Sequence, residues 1–175
     1  MQKIKWIFLF GWILLFSSAY RPAAITEKTR WISLQDAADS LKKQHRPVLI
    51  DLYTDWCGWC KVMDKKTYAN KNVSEYLAKK FYSVKVDAEN KKEIKWNGKN
   101  YTYNASYKTN NFAVYLTNGQ LSYPTTVIIA ADGVPQAIPG YLEPKDFEIV
   151  LKYFGEEKYG KISFDEFRKG FKSSW

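Results

Sequence analysis

The sequence has few of the residues that staple a small protein or bind a metal: two cysteines and one histidine among 175 residues. Two cysteines form at most one disulfide bond, so the chain is not a disulfide-stapled mini-protein and must rely on a hydrophobic core. Together with His45, they also fall short of the usual four-ligand zinc site within one chain. Disorder is excluded because 17% of the residues are aromatic, and disordered chains are poor in aromatic residues.

The sequence also lacks an apolar run of about 20 residues, the length that a membrane-spanning helix needs. A shorter apolar run over 6–16 follows Lys3 and Lys5 and precedes the small residues 17–19, and the uncharged stretch as a whole ends at residue 20. A basic start, an apolar segment and a small-residue exit are typical of a secretory signal. The pattern predicts a signal peptide over 1–19, extending to 24 if cleavage is later, and favours it over an uncleaved membrane anchor. The protein is therefore expected to be periplasmic or secreted, in a setting that permits disulfide chemistry.

Acidic residues are outnumbered: 18 Asp and Glu face 27 Lys and Arg, which gives a formal charge of +9. Such an excess is compatible with nucleic-acid binding, but the lysines are scattered along the chain and the protein is expected to be exported. The charge therefore predicts a soluble mature protein, or attraction to acidic partners, and no nucleic-acid partner.

From residue 33 onward, apolar strands alternate with amphipathic helices. A nearly continuous apolar run predicts a buried strand over 48–53, between a helix over 33–44 and one from 57 to about 66. Alternation of this kind indicates a βαβ unit with a parallel pair of strands. The remaining predicted elements are a helix over 73–80, a strand over 81–86, a hairpin turn at 97–98, a helix over 107–116, strands over 125–130 and 134–138, and a helix over 144–154.

Both cysteines stand in one motif, Cys57-Gly58-Trp59-Cys60, directly after the buried strand. Such a pair is a redox dithiol, half of a zinc site or an inert disulfide. The zinc interpretation lacks a second pair of ligands, and a bridge that closes so small a loop constrains the unfolded chain little. A redox role needs this spacing, because a helix start stabilises the Cys57 thiolate and Cys60 lies one turn later, close enough to attack a mixed disulfide. The redox interpretation is therefore favoured.

The segment around this motif resembles the active-site segment of the thioredoxin superfamily. The likeness rests on the apolar strand, on Asp51 six positions before Cys57, on Trp56 just before that cysteine and on Lys61 just after Cys60. Farther on, the segment 122–129 (SYPTTVII) resembles the family's Pro-Thr segment, in which the proline is cis. The segments at 132–133 and 139–141 resemble the β-hairpin and the glycine that close the family's fold.

The resemblance implies a thioredoxin-like α/β fold over 31–154, with a central mixed β-sheet flanked by helices. An insertion at about 91–122 precedes the cis-proline strand and resembles exported bacterial thioredoxin-like proteins more than cytosolic ones. Residues 155–175 are expected to form an amphipathic C-terminal extension that packs back on the domain.

The resemblance also implies an activity: thiol–disulfide exchange with disulfide- or dithiol-containing proteins, more as a reductase than as an oxidase. Cys57 would attack the partner disulfide, Cys60 would resolve the mixed disulfide, and Asp51 would take the proton of Cys60. No cofactor and no metal are implied, but an electron partner in the membrane or periplasm is. The implied substrate-contacting residues are Trp56, Gly58, Trp59, Tyr123 and Pro124.

Some points stay open at the level of sequence. The family's lysine partner of the buried aspartate falls on Ser83, and Lys85, on the same side of its strand, is a candidate substitute. Trp56 and Trp59 are either core residues or an apolar platform for a substrate chain. A non-catalytic binding module with a structural disulfide and a copper metallochaperone are the alternative functions.

Overall fold

One mixed β-sheet forms the centre of the fold in the computed structural model, which describes residues 28–175. The strands are β1 (Trp31–Ile32), β2 (Val48–Tyr53), β3 (Tyr82–Asp87), β4 (Ile94–Trp96), β5 (Lys99–Tyr101), β6 (Tyr103–Asn104), β7 (Thr109–Asn110), β8 (Thr125–Ile129) and β9 (Pro135–Pro139). The helices are α1 (Leu34–Leu41), α2 (Gly58–Met63), α3 (Lys71–Lys80), α4 (Asn111–Thr117), α5 (Pro144–Gly155) and α6 (Phe164–Gly170). A π-helical turn, Asp64–Tyr68, continues α2.

The central sheet has the strand order β1-β3-β2-β8-β9. Strands β1, β3 and β2 are parallel, whereas β8 is antiparallel to β2 and β9 is antiparallel to β8. In this register Tyr53 pairs with Asp87, and Thr125 pairs with both Leu52 and Pro139. One end of the sheet, here called the active end, therefore brings together the segments that follow β2, β3 and β9 and the segment that precedes β8.

Helices cover both faces of the sheet, which explains why β2 is apolar along nearly its whole length. On one face, Val48, Ile50 and Leu52 pack with α1, α4 and the β4 strand. On the other, Leu49 packs with residues of the α2 segment, α3 and α5. Because side chains alternate along a strand, Asp51 shares the face of Leu49 and lies under α2. The expected central mixed sheet flanked by helices is thus confirmed.

The segment between β3 and β8 forms two short ribbons, β4–β5 and β6–β7, followed by α4. The predicted hairpin turn at 97–98 is confirmed, since it joins β4 to β5. The predicted helix start at residue 107 is wrong: Thr109 and Asn110 pair with β6. The Asn110 side chain then accepts a 2.9 Å hydrogen bond from the Phe112 N–H and caps α4. A cross-strand contact and a cap therefore delay the helix by one turn.

The C-terminal segment packs against α5 and α3, as its amphipathic pattern predicts. The Tyr153 ring contacts those of Phe164 and Phe167, at centroid distances of 5.2 and 5.5 Å. The tail closes on Glu148, a fully buried carboxylate of α5, which accepts hydrogen bonds from Ser173 and Ser174. Glu148 was not predicted from sequence, because Ser173 and Ser174 lie 25 and 26 residues farther along the chain.

The predicted signal peptide lies outside the described residues, so it stays a prediction, as do the boundaries at 31, 154 and 155. Within residues 28–175, no helix is both long enough and apolar enough to cross a membrane.

Candidate active site

The two cysteines form a disulfide bond at the start of α2, at the active end of the sheet. Cys57 is the N-cap of α2, and its sulfur accepts a 3.1 Å hydrogen bond from the Cys60 N–H. Both cysteines are nearly buried, with 4% and 5% of their surface exposed. The backbone N–H groups at a helix start favour negative charge, so this location suits a thiolate on Cys57.

Asp51 is buried beneath this helix, as its position in the apolar run predicts, with 2% of its surface exposed. Its Oδ2 atom lies 3.1 Å from the Nζ atom of Lys85. The two residues are direct register partners on β2 and β3, which confirms the candidate substitution by Lys85. Ser83, two residues earlier, pairs with Leu49 on β2 and with Trp31 on β1.

Lys85 joins a second carboxylate to the pair. Its Nζ atom lies 2.5 Å from Oδ1 of Asp64, which follows Cys60 by four residues at the start of the π-helical turn. The same ammonium group lies over the rings of Trp31 and Tyr53, 5.2 and 5.0 Å from their centroids. Asp64 was not predicted from sequence, although it lies one helical turn after Cys60.

Burial and neighbouring charges shift the pKa values of Asp51 and Lys85 in opposite directions. Burial raises the pKa of Asp51 to about 6, and the Lys85 ammonium limits that rise. Burial lowers the pKa of Lys85, but the carboxylates of Asp51 and Asp64 outweigh it and raise the pKa above its ordinary value. Lys85 therefore keeps its proton at neutral pH, and burial brings the pKa of Asp51 closer to neutrality than its ordinary value.

Replacing Asp51 by asparagine is expected to stabilise the fold above about pH 6 and to leave its stability unchanged below about pH 4. The folded-state pKa, about 6, exceeds the ordinary value of 3.8, so ionisation of Asp51 disfavours the folded state. This cost of ionising Asp51 is absent below its ordinary pKa and complete above its folded-state pKa. The difference between these two pKa values corresponds to about 3 kcal/mol in the free energy of unfolding. Urea unfolding of both proteins at about pH 4 and about pH 8 would measure it.

The exposed Asp55, on the loop after β2, provides the matched control. Asp55→Asn should change the free energy of unfolding by less than about 0.5 kcal/mol. A stability gain in Asp51→Asn that is equal at both pH values would contradict the assigned titration.

Two tryptophans flank the disulfide at the surface. Trp56 and Trp59 are 66% and 62% exposed, so the interpretation as core residues is wrong. The Trp56 indole donates a 3.0 Å hydrogen bond from Nε1 to Glu89 Oε1, and its ring centroid lies 5.9 Å from that of Tyr123. The Trp59 centroid lies 5.4 Å from that of Tyr141. Glu89 lies two residues after β3, just before the insertion, and was not predicted from sequence.

Tyr123 and Pro124 lie beside the disulfide segment, as the resemblance implies, because Thr125 pairs with Leu52 near the end of β2. The Tyr123–Pro124 peptide bond is cis, and the buried Pro124 carbonyl accepts a 2.8 Å hydrogen bond from the Gly140 N–H. Gly58 is exposed between the cysteines. The structure therefore brings all the residues implied as catalytic or substrate-contacting to one end of the sheet. Among residues 28–175, no group of three or more His, Cys, Asp or Glu side chains is placed to hold a metal ion.

Comparison with known proteins identifies the family. A family model described as a thioredoxin-like domain matches residues 34–155. The chain belongs to this family. Thioredoxin from Borreliella burgdorferi is 29% identical over 113 residues, which cover 62% of this chain and 74% of that protein.

Two longer relatives match shorter segments of this chain. Human spermatogenesis-associated protein 20 is 30% identical over 60 residues, 34% of this chain. Thiol:disulfide interchange protein DsbD from Pseudomonas fluorescens is 46% identical over 44 residues, 25% of this chain. In each case the match covers 8% of the relative's own length.

Solved structures agree on the fold. The DsbH oxidoreductase superposes with a TM-score of 0.55 at 19% identity, covering 78% of this chain and 90% of that one. A thioredoxin-fold protein from Helicobacter pylori superposes with a TM-score of 0.51 at 22% identity, covering 71% and 79%. This thioredoxin-like chain thus shares its fold with both and carries a Cys57–Cys60 pair of the kind typical of disulfide oxidoreductases.

Proposed function

We propose that the protein is an exported thiol–disulfide oxidoreductase that reduces disulfide bonds in partner proteins. One observation carries the proposal: the Cys57–Cys60 disulfide at the start of α2 lies above a buried carboxylate, Asp51, whose pKa is about 6. A structural disulfide has no need of a buried proton acceptor, whereas thiol exchange does.

The reaction begins with the reduced dithiol. The Cys57 thiolate attacks one sulfur of the partner disulfide, which forms a mixed disulfide and releases the partner's other sulfur as a thiolate. The Cys60 thiolate then attacks the Cys57 sulfur, which closes the Cys57–Cys60 bond and releases the second partner sulfur. Two electrons pass to the partner, both released thiolates take up protons, and an external dithiol must reduce the enzyme again.

Asp51 has the role of accepting the proton that Cys60 must lose before it attacks. Its raised pKa of about 6 suits this role, because a general base works best when its pKa lies near the working pH. Lys85 and Asp64 act as positioning residues. Lys85, on β3, pairs with the Asp51 carboxylate, and Asp64, on the π-helical turn, pairs with Lys85. Trp56, Gly58, Trp59, Tyr123 and Pro124 form the surface that a partner contacts.

Export is the second part of the proposal, and its support is the basic and apolar pattern of the first residues. Expression of the full chain in a bacterial host should yield an exported protein whose N-terminus lies between residues 20 and 25 by N-terminal sequencing. A protein that keeps residue 1 and is recovered in the membrane fraction would indicate an uncleaved anchor.

The direction of the reaction is tested by equilibrating the protein with glutathione buffers and measuring the fraction of Cys57–Cys60 disulfide. A reductase should have a potential nearer to about −270 mV than to about −120 mV, the values of thioredoxin and of a strongly oxidising family member. The reduced protein should also reduce a protein disulfide in a single turnover. A bridge that glutathione and a strong dithiol both leave intact would contradict the proposal and favour the binding module.

A further inference from the structure

A cavity lined by basic side chains lies at the end of the sheet opposite the active end, beside the edge strand β1. Its volume is about 740 Å³, and its lining includes Tyr82 and Ser83 at the start of β3. Strand β3 runs from this cavity to the active end, a distance of about 17 Å at the usual rise of a parallel strand. The cavity is therefore separate from the Cys57–Cys60 site.

Three basic residues line the cavity: Lys28, Arg30 and Arg46. No aspartate or glutamate is among the described residues of the lining. Within residues 28–175, moreover, none of the three cations forms an ion pair. Positive charge that no neighbouring carboxylate balances favours an anionic ligand.

Two of the cations are held in place by the residue between them. Thr29 is buried, and its hydroxyl donates a 2.6 Å hydrogen bond to the Tyr68 carbonyl. Lys28 and Arg30, on either side of Thr29, are both exposed. The anchored threonine thus fixes the backbone from which these two cations reach the cavity.

The third cation, Arg46, is half-buried and lies against Tyr82. Its guanidinium carbon is 5.7 Å from the centroid of that ring, and its Nη1 donates a 3.4 Å hydrogen bond to the Ala78 carbonyl. This bond uses one of the five N–H donors of the guanidinium group. A stacked arginine with further donors suits a phosphate group, which it can bind with two parallel hydrogen bonds.

The cavity also has an apolar wall, to which Ile32, Leu77 and Phe81 contribute. A ligand that fits both parts carries a phosphate next to a hydrocarbon group, as an anionic phospholipid does. The course of the chain favours the same ligand. The apolar run over 6–16 ends twelve residues before Lys28, so under the proposed export the cavity comes within about 40 Å of the segment that enters the membrane.

We propose that this cavity binds the headgroup of an anionic phospholipid, and that the protein attaches to a membrane surface through it. The active end, at the other end of the sheet, then points away from the lipid and stays open to partner proteins. This inference goes beyond disulfide exchange, and its test contains no thiol step, so the two proposals fail separately.

The test compares sedimentation of the exported protein with vesicles of phosphatidylcholine alone and with vesicles that contain equal parts of phosphatidylcholine and phosphatidylglycerol. The readout is the ratio of the two partition coefficients, because any apolar residues retained from 1–24 contribute to both and cancel. We expect a clear preference for the anionic vesicles. Each basic residue near such a surface contributes about fivefold, so Arg30→Gln combined with Arg46→Gln should lower the ratio about 25-fold. The exposed Arg30→Gln alone should lower it about fivefold, which covers the case of a double variant that does not fold.

The matched control removes two charges elsewhere. Lys91 and Lys92 are exposed on the loop after β3, at the active end. Replacing both by glutamine should leave most of the preference, because at about 0.1 M salt charges more than about 10 Å from the lipid are largely screened. An equal loss in this control would indicate diffuse attraction and overturn the assignment to the cavity.

Three other results would also overturn the proposal. The first is equal binding of the wild-type protein to both kinds of vesicle. The second is loss of the preference in inorganic phosphate but not in chloride of the same ionic strength, which would indicate a site for a free anion. The third is tighter binding to a single-stranded RNA than to the anionic vesicles, lost in the double arginine variant, which would assign the cavity to nucleic acid.

Discussion

Replacing Cys57 by serine is expected to reduce turnover of protein disulfides to the uncatalysed background. Replacing Cys60 by serine is expected instead to trap covalent mixed disulfides with partners. The two cysteines are almost equally buried, so exposure does not distinguish them. Their positions do: Cys57 caps α2 and accepts a hydrogen bond from the Cys60 N–H, which stabilises a thiolate on the first cysteine and leaves the second to resolve the intermediate.

Non-reducing gels and a coupled assay of protein disulfide reduction would measure both effects. The chain contains two cysteines, so every adduct of the Cys60→Ser variant must form on Cys57. Trapping by Cys57→Ser but not by Cys60→Ser would reverse the two roles. Full activity of Cys57→Ser would exclude the proposed mechanism.

Replacing Glu148 by alanine is expected to cost about 3 kcal/mol in the free energy of unfolding, the low end for breaking a buried ion pair. Its carboxylate is fully buried and lies 2.7 Å from Lys152 Nζ. It also accepts hydrogen bonds of 2.6 Å from Ser173 Oγ and of 2.9 and 3.0 Å from Ser174 N and Oγ. The variant leaves these donors without their acceptor. Because Lys152 retains some exposure, its ammonium can still reach water, which keeps the cost at the low end.

The pH dependence identifies the cause of this loss. Burial would raise the pKa of Glu148, but the hydrogen bonds from Lys152, Ser173 and Ser174 outweigh it and lower the pKa from 4.5 to about 2. The stabilisation is therefore complete above the ordinary value and is lost as the pH falls towards the folded-state value. Urea unfolding of Glu148→Ala should show a deficit at about pH 7 that shrinks towards about pH 2.5.

Two companions to the Glu148→Ala variant complete this experiment. Glu148→Gln keeps an acceptor and should cost less, and the exposed Glu156→Ala should change stability by less than about 0.5 kcal/mol. A deficit in Glu148→Ala that does not depend on pH would indicate lost packing rather than a lost carboxylate.

Much of the site could be predicted from sequence because its signals are local. Asp51 interrupts an apolar run, so its burial follows from the strand that carries it. Cys57 and Cys60 show their spacing directly, and the side of the strand on which Lys85 lies follows from alternation. The resemblance to thioredoxins added the cis bond before Pro124, which periodicity alone does not indicate.

The residues that sequence analysis missed depend on contacts between distant segments. Tyr141 meets Trp59 because β9 ends beside α2, and Glu89 meets Trp56 because β3 ends on the other side. Likewise, α4 begins after the predicted residue 107 because β7 pairs with β6, a contact that the helical pattern of the sequence does not indicate. The two-residue strand β1 is too short to show an alternation of its own.

Both edges of the central sheet are poor templates for another chain. At one edge, β1 contributes only Trp31–Ile32, and at the other β9 begins and ends in proline, Pro135 and Pro139. A short strand offers few backbone groups, and proline lacks the N–H that a neighbouring strand would need. Extension of the described sheet from molecule to molecule is therefore disfavoured. Under the proposed function, a partner segment would therefore meet the ends of the strands, where the Cys57–Cys60 disulfide lies, and would not extend the sheet.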